Sequence, residues 1–261
     1  MKGSLSKSRR NKNLLTVLFA VIAILYVMPI VIVLINSFKS NTGINTQTFA
    51  LPNAETFMGF DNYIKGVTFG NYNFWKCVEY SFTITILSTA LIILCTSMAA
   101  WYISRVNSRF CKLMYYVCVF SMVVPFQMVM FTLSSLADSM RINFFDLYTL
   151  RFNTPWMLWF VYLGFGAGLA VFMFSGFVKS LPLEIEEAAV IDGCGPIQCF
   201  WKIMFPLAQP AIVTVSIFNF IGKWNEYFMA LIFANKSNLR PIGVGLYQTV
   251  TSMMNSGDWA G

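Results

Sequence analysis

Residues 13–38 read NLLTVLFAVIAILYVMPIVIVLINSF, an uncharged run that lies between Lys12 and Lys39. An α-helix needs about 20 apolar residues to cross the roughly 30 Å of hydrocarbon in a bilayer. Basic residues precede this run, as in a signal peptide, but the run is too long and lacks a small-x-small cleavage site. It therefore predicts a membrane-spanning helix, span 1, over residues 14–38.

Four more apolar stretches of similar length follow along the chain. They predict span 2 at residues 80–104, span 3 at 113–137, span 4 at 154–178 and span 5 at 210–234. Span 5 is interrupted only by Lys223 and Glu226, which are three residues apart and can share one helix face. The predicted fold class is all-α: a polytopic transmembrane helical bundle with five visible spans, forming a single domain over residues 1–261.

The composition agrees with a bilayer protein and excludes several classes of function. Hydrophobic residues make up 57% of the 261 residues and charged residues only 11%, too few charges for a water-soluble surface. The net charge of +7 is explained by basic residues that orient the chain in the membrane, so no separate nucleic-acid-binding surface is expected. The absence of histidine excludes histidine-based catalysis. The six cysteines form no C-x-x-C pair, so we expect neither a metal site nor a disulfide framework.

The positions of lysine and arginine predict the orientation of the chain. With the N-terminus in the cytoplasm, the inner segments hold ten of these residues and the outer segments hold seven. The longest outer segment, residues 39–78, carries little weight because long loops are translocated largely regardless of their charge. We therefore expect a cytoplasmic N-terminus and a cytoplasmic segment over residues 179–209.

This cytoplasmic segment predicts two short helices rather than a simple turn. Pro182 is expected in the first turn of the first helix, followed by acidic residues that complement the positive end of a helix dipole. Gly193 and Gly195 are expected to end that helix. Pro196 suits the first turn of the second helix, which we expect to end before Pro206.

A specific pattern runs through the segment: Glu187-Ala188-Ala189, three residues, Gly193, nine residues, Ile203, one residue, then Phe205-Pro206. It resembles the EAA signature of ABC importer permeases and departs from it only at Phe205, where the family has leucine. The resemblance implies a cytoplasmic coupling loop through which a separate ATPase drives the chain. The residues expected to take part are Glu187, Ala188, Ala189, Asp192, Gly193, Ile203 and Pro206. The plain alternative is an ordinary solvated amphipathic loop, since Glu-Glu-Ala-Ala alone is common in helices.

Further residues resemble the permeases of carbohydrate importers. They are Pro125-Phe126-Gln127, Phe172 with Ser175-Gly176-Phe177, Asp192-Gly193, Trp224-Asn225-Glu226, and Arg240-Pro241 before Gly243-Val244-Gly245-Leu246. The resemblance covers roughly residues 79–250 and is nearest to the maltose and oligosaccharide type of the binding-protein-dependent inner-membrane component family. It implies a multi-pass permease in a bacterial or archaeal cytoplasmic membrane. Such a permease imports a sugar, with an oligosaccharide as the expected substrate, by alternating access.

The same resemblance implies a set of partners. These are an ABC ATPase dimer, a second, related permease subunit and an extracytoplasmic sugar-binding protein, with membrane lipid around the spans. The chain has no G-x-x-x-x-G-K-[ST] phosphate loop, so it is not expected to be an enzyme. ATP and Mg are expected on the partner ATPase, and no cofactor or metal is expected on this chain. A sixth span, expected from the family, is absent from the sequence, so we expect either a truncated chain, which is favoured, or a shortened member of the family.

Polar residues inside the spans predict the translocation path. Lys223, Asn225 and Glu226 lie within span 5, and ionisable residues inside a membrane are usually functional because their burial is costly. A structural Lys223–Glu226 pair is the plainer alternative and is compatible with that role. Gln127 of span 3 is a further candidate, because Pro125 frees a backbone carbonyl in mid-span.

Other functions stay open at this point. The coupling loop is shared across substrates, so the importer could carry another small polar solute, such as a polyol, glycerol phosphate or an amino acid. A membrane-embedded enzyme would need clustered intramembrane histidines or carboxylates, whereas Glu226 is the only carboxylate well inside a span. An ion channel would not need the coupling loop.

Overall fold

A computed structural model describes residues 2–68, 74–139, 141–144, 148–151, 158–234 and 239–256. Helices dominate these residues, as predicted. The elements are α1 Lys2–Asn36, α2 Asn41–Thr46, α3 Asp61–Thr68, α4 Phe74–Arg105, α5 Arg109–Ser121, α6 Phe126–Ser139, β1 Arg141–Phe144, β2 Tyr148–Arg151, α7 Leu158–Ser180, α8 Glu184–Ile191, α9 Pro196–Cys199, α10 Phe205–Leu207, α11 Gln209–Asn225, α12 Phe228–Ala234 and α13 Ile242–Ser256. A π-helical segment, Phe200–Met204, joins α9 to α10. The chain forms two compact units, residues 1–73 with 248–261 and residues 74–247.

The first unit contains α1 and a small folded segment that follows it. α1 is apolar over Lys12–Asn36, and none of that stretch is buried. Beyond α1, Lys39 is fully buried, and its Nζ donates hydrogen bonds to Asn36 Oδ1 at 2.9 Å and to the Gln47 carbonyl at 2.8 Å. Asn62 of α3 donates to the Lys39 carbonyl at 2.7 Å. The two bonds donated by Nζ compensate for the burial of the lysine charge, and the bond from Asn62 holds the Lys39 backbone.

The second unit is built around the packing of α4 against α7. Small polar residues of α4 are buried, among them Ser81, Thr85 and Ser88. On α7, a Cβ placed at Gly166 would lie 2.7 Å from Ile92 Cδ1 of α4, and one placed at Gly168 would lie 2.6 Å from the Cys118 carbonyl of α5. These glycines therefore permit the close approach that is typical of helices packed in membranes.

Among the described residues, three helical stretches are long and apolar enough to cross a membrane: Lys12–Asn36, Phe74–Arg105 and Leu158–Ser180. The number rises to five if each of two bent helix pairs counts as one span. One pair is Arg109–Ser121 with Phe126–Leu136, bent by 104°, and the other is Pro196–Leu207 with Gln209–Asn225, bent by 74°.

Within the predicted span 3, residues 113–137, the structure has two helices. The chain is helical in α5 and α6 but breaks over residues 122–125. Pro125 explains the break, because proline has no N–H to donate and its ring clashes with the carbonyl four residues earlier. Val124 is also disfavoured in the α conformation because it precedes a proline.

Span 5 is not one helix over residues 210–234 either. α11 ends at Asn225, Glu226 is extended with φ −76° and ψ 120°, and α12 begins at Phe228. The sequence also gave no indication of the antiparallel hairpin, in which Arg141 of β1 pairs with Arg151 of β2, or of α13.

Candidate coupling segment and translocation path

The turn that ends α8 is dictated by a glycine. Gly193 has φ 82°, a left-handed conformation that other residues rarely adopt. Its N–H donates to the Val190 carbonyl at 3.0 Å, and the Cys194 N–H donates to the Ala189 carbonyl at 3.0 Å. This pair of bonds is a Schellman motif, which satisfies the last carbonyls of the helix. At the other end, Pro182 lies before α8 rather than in its first turn.

The second short helix begins at Pro196, as predicted, but the prediction that it ends before Pro206 is wrong. The π-helical segment carries the chain on into α10, which includes Pro206. Within it, the Phe205 N–H donates to the Phe200 carbonyl, five residues back. This wider turn fits the sequence, because in an α-helix a proline ring clashes with the carbonyl four residues before it.

The predicted coupling residues divide into an inner and an outer set. Ala189 is buried and Ile203 partly buried in an apolar cluster with Val178, Phe200 and Met204. The exposed set consists of Glu187, Ala188, Asp192, Gly193 and Pro206. The signature therefore combines residues that hold the segment together with residues that are available to a partner.

An open cavity of about 720 Å³, which we name the coupling groove, lies beside α8. Its lining consists of Trp101, Leu183, Glu186, Glu187, Val190, Ile191, Cys194, Pro196 and Cys199. Val190 is 65% exposed and Ile191 is 85% exposed. Exposed apolar surface that adjoins charged residues is typical of protein–protein contact sites.

A buried carboxylate attaches α8 to the end of α4. Glu186 is 8% exposed; its Oε1 lies 2.6 Å from Arg105 Nε, and its Oε2 accepts a hydrogen bond from Trp101 Nε1 at 2.9 Å. Arg105 Nη2 also donates to the Leu181 carbonyl at 3.1 Å. Sequence reasoning missed this contact because Arg105 and Glu186 are 81 residues apart and no local pattern links them.

Glu226 lies at the break between α11 and α12 and satisfies the interrupted backbone. Its Oε1 accepts a hydrogen bond from the Met229 N–H at 2.7 Å. Its Oε2 accepts one from the Ala230 N–H at 3.4 Å and one from the Tyr162 hydroxyl at 3.1 Å. Lys223 Nζ lies 4.8 Å from the centroid of the same Tyr162 ring, in a cation–π contact. Within the described part of the chain Lys223 forms no ion pair with Glu226, and Tyr162 links the two residues instead.

The other two candidate path residues, Gln127 and Asn225, are exposed. Gln127 lies in the first turn of α6, and Asn225 Nδ2 donates to the Ile221 carbonyl at 3.0 Å. The break before α6 and the break before α12 lie side by side, because the ring centroids of Phe126 and Phe228 are 6.2 Å apart. The structure thus brings together two helix ends that the sequence did not relate.

Comparison with known proteins identifies the family. The profile of the binding-protein-dependent transport system inner membrane component matches residues 92–260. The chain belongs to this family. It is a multi-pass membrane permease of a binding-protein-dependent ABC transporter, as the signature in residues 187–206 predicted.

Relatives of this permease include several named sugar transporters. It is 31% identical over 236 residues to a probable starch degradation products transport system permease protein of Thermoanaerobacterium thermosulfurigenes, with 90% of this chain and 81% of that protein covered. It is 29% identical over 229 residues to a diacetylchitobiose uptake system permease protein of Streptomyces coelicolor, with 87% and 71% covered. It is 31% identical over 229 residues to a multiple sugar-binding transport system permease protein of Streptococcus mutans, with 85% and 76% covered.

The permease fold is also found in a solved structure. A crystal structure of a bacterial ABC transporter involved in the import of the acidic polysaccharide alginate matches with a TM-score of 0.70 and 20% identity, covering 95% of this chain and 86% of that chain. The match establishes the fold, and it confirms the predicted transmembrane helical bundle.

Proposed function

We propose that this permease forms half of a channel that imports a sugar into the cytoplasm by alternating access, with an oligosaccharide as the expected substrate. An ABC ATPase dimer drives it through residues 179–209, and the N-terminus lies in the cytoplasm, as the distribution of lysine and arginine predicts. The observation that carries the proposal is the coupling groove, where the exposed Val190 and Ile191 lie next to Glu187 of the signature. Such a surface is suited to a transient partner, because apolar contacts give affinity and the neighbouring charges give specificity.

The relatives support a sugar as the substrate. Their names specify starch degradation products, diacetylchitobiose, multiple sugars and, for a protein of Halalkalibacterium halodurans, arabinooligosaccharides. A smaller glycoside is a second candidate, because a relative that is 27% identical over 223 residues is named for sulfoquinovosyl glycerol transport.

The paired helix breaks support a translocation path beside α6 and α12. Non-helical backbone at membrane depth is tolerated where it is buried in protein or lines a water-filled cavity. The exposed amides of Gln127 and Asn225 adjoin these breaks and can both donate and accept hydrogen bonds with sugar hydroxyls. A second, related permease would complete the channel, a sugar-binding protein would deliver the substrate, and ATP with Mg would bind the ATPase.

Purification of the tagged permease from native membranes in mild detergent tests the partners. We expect an ABC ATPase, a second permease and a solute-binding protein to co-purify, and binding assays on the last of these identify the solute. Recovery of the permease without an ATPase, under conditions that preserve other transporter complexes, contradicts the proposal.

Substitutions in the signature test the coupling role. Glu187→Lys reverses an exposed charge beside the coupling groove, and Gly193→Val places a β-branched residue at φ 82°. We expect both variants to remain in the membrane and to lose uptake of the identified solute. Gly195→Ala is the control, because Gly195 has φ −69°, which alanine adopts readily. Normal uptake by both signature variants would refute the coupling assignment.

A further inference from the structure

We infer that Arg105 and Trp101 are positioning residues that transmit movement of the coupling segment, residues 179–209, to α4. The inference rests on the proposed drive by an ATPase. The chain joins this segment directly only to α7 and α11. Movement of the segment therefore reaches α4 directly only through non-covalent contacts.

These contacts connect both short helices to a single turn of α4. Arg105 binds the Glu186 carboxylate of α8 at 2.6 Å and the Leu181 carbonyl, just before α8, at 3.1 Å. Trp101 donates to the second carboxylate oxygen, and its ring centroid lies 5.7 Å from that of Phe200, in the π-helical segment that continues the second short helix. Because residues four apart lie on one helix face, one side of α4 holds the segment at its start, within α8 and in the second helix.

The Arg105–Glu186 bond is suited to transmitting movement because it is charged and largely buried. The two side chains are 18% and 10% exposed. Separating such a pair leaves uncompensated charges away from water, so the pair resists separation more strongly than an exposed pair does. α4 also has buried residues from Cys77 to Ala100, and closely packed interiors transmit displacement. Movement at Arg105 therefore reaches the centre of the bundle.

The test uses the complete transporter, purified with its ATPase and reconstituted in lipid vesicles, and it measures solute uptake and ATP hydrolysis separately. Arg105→Gln removes the positive charge that binds Glu186. We expect uptake to fall at least about tenfold, because the substitution removes the charge-assisted bond to Glu186 and the bond to the Leu181 carbonyl. The ATPase should remain bound and ATP hydrolysis should continue, because the coupling groove is still present.

Arg109→Gln is the matched control. Arg109 is an exposed arginine in the first turn of α5, four residues along the chain from Arg105. Because a surface substitution of this kind has little effect, we expect uptake to change by less than about twofold.

A milder variant, Trp101→Phe, keeps an aromatic ring beside Phe200 and removes only the indole N–H that binds Glu186. As for Arg105→Gln, we expect uptake to fall while ATP hydrolysis continues, but the loss of uptake should be smaller. It keeps the inference testable if Arg105→Gln lowers the amount of assembled transporter.

Two results would overturn the inference. If the contact only stabilises the assembled transporter, uptake and ATP hydrolysis will fall in equal proportion in both variants. If the contact has no role in transport, uptake will stay at the level of the unsubstituted transporter. Failure of the proposed function can be told apart from failure of this inference, because it would be seen in the unsubstituted permease, with which no ATPase would co-purify. The inference would then fail as well.

Discussion

The permease contains two interrupted helical regions beside acidic residues, and they are built differently. Between α8 and α9 the backbone itself reverses at Gly193, with φ 82°, and Glu186 binds Arg105 of another helix. Between α11 and α12 the backbone at Glu226 is extended, and the Glu226 side chain caps the following helix through the Met229 N–H. The first turn depends on a glycine, and the second depends on a carboxylate.

The two carboxylates consequently have different partners. Glu186 is bound by a cation, so its removal leaves the Arg105 charge largely buried and unpaired. Glu226 accepts hydrogen bonds from two backbone N–H groups and from the hydroxyl of Tyr162. Its removal therefore leaves three uncharged donors without their acceptor. An uncompensated charge costs more than an uncompensated dipole in a medium of low dielectric constant. The attachment of α8 should therefore be the more sensitive of the two sites.

The largest effect is expected for Glu186→Ala. It should lower the free energy of unfolding by about 3 kcal/mol, because Arg105 loses its counter-charge in a largely buried position. Chemical denaturation of the purified permease measures the change. Replacing both Glu186 and Arg105 by leucine should recover most of the loss. If the double change instead costs the sum of Glu186→Leu and Arg105→Leu measured singly, the two residues are not coupled.

Glu226→Ala should have the second largest effect, about 2 kcal/mol, because α12 loses its cap and Tyr162 loses its acceptor. Glu226→Gln keeps an amide oxygen that accepts the Met229 N–H, and it should retain more than half of this stability. The midpoints of thermal unfolding compare the two variants. Equal losses in both would mean that the charge of Glu226, and not the cap, is the stabilising feature.

Gly193→Ala should cost about 1 kcal/mol, because the strain lies in the left-handed backbone. No atom lies within 4 Å of a Cβ built at Gly193, so the cost is not steric. Gly195→Ala is again the control, at an exposed glycine that also has open space around it, and should change the unfolding free energy by less than about 0.5 kcal/mol. Equal costs at both glycines would contradict the role of the positive φ.

The smallest effect is expected for Tyr162→Phe, which removes one hydrogen bond to Glu226 and keeps the ring beneath Lys223 Nζ. A typical hydrogen bond contributes about 0.5–1.5 kcal/mol net, and the 3.1 Å between the Tyr162 hydroxyl and Glu226 Oε2 is long for an O–H···O bond, so we expect a value in the lower half of that range. Denaturant titration of Tyr162→Phe alone and combined with Glu226→Gln measures the coupling of the two residues. A loss larger than that of Glu226→Ala would reverse the order of importance at this break.

The two regions also differ in how far the sequence revealed them. The turn at Gly193 and the start at Pro196 were predicted, because glycine and proline restrict the backbone locally. The break at Glu226 was not, because a single glutamate in an apolar run looks like an ordinary helical position until its carboxylate is seen to accept the Met229 N–H. The continuation through Pro206 was missed for a related reason: the π-helical turn depends on tertiary packing as well as on the proline.

Contacts between side chains that lie far apart in the sequence could not be predicted from the sequence. Lys223 and Glu226 are three residues apart, and local spacing suggested a direct pair. The structure inserts Tyr162 of α7 between them. Arg105 was read only for membrane orientation, since its partner Glu186 lies on a helix formed much later in the chain.

The spacing of Arg105 and Glu186 along the chain has a consequence for synthesis. The two residues are 81 positions apart. At roughly 5–20 residues per second of translation, the ribosome makes Arg105 about 4–16 seconds before its partner. During that interval Arg105 is a positive charge at the end of a newly made apolar helix, where arginine and lysine bias the direction of insertion. The same guanidinium thus first favours one orientation of α4 and later fastens α8 to it, so the order of synthesis separates the two roles in time.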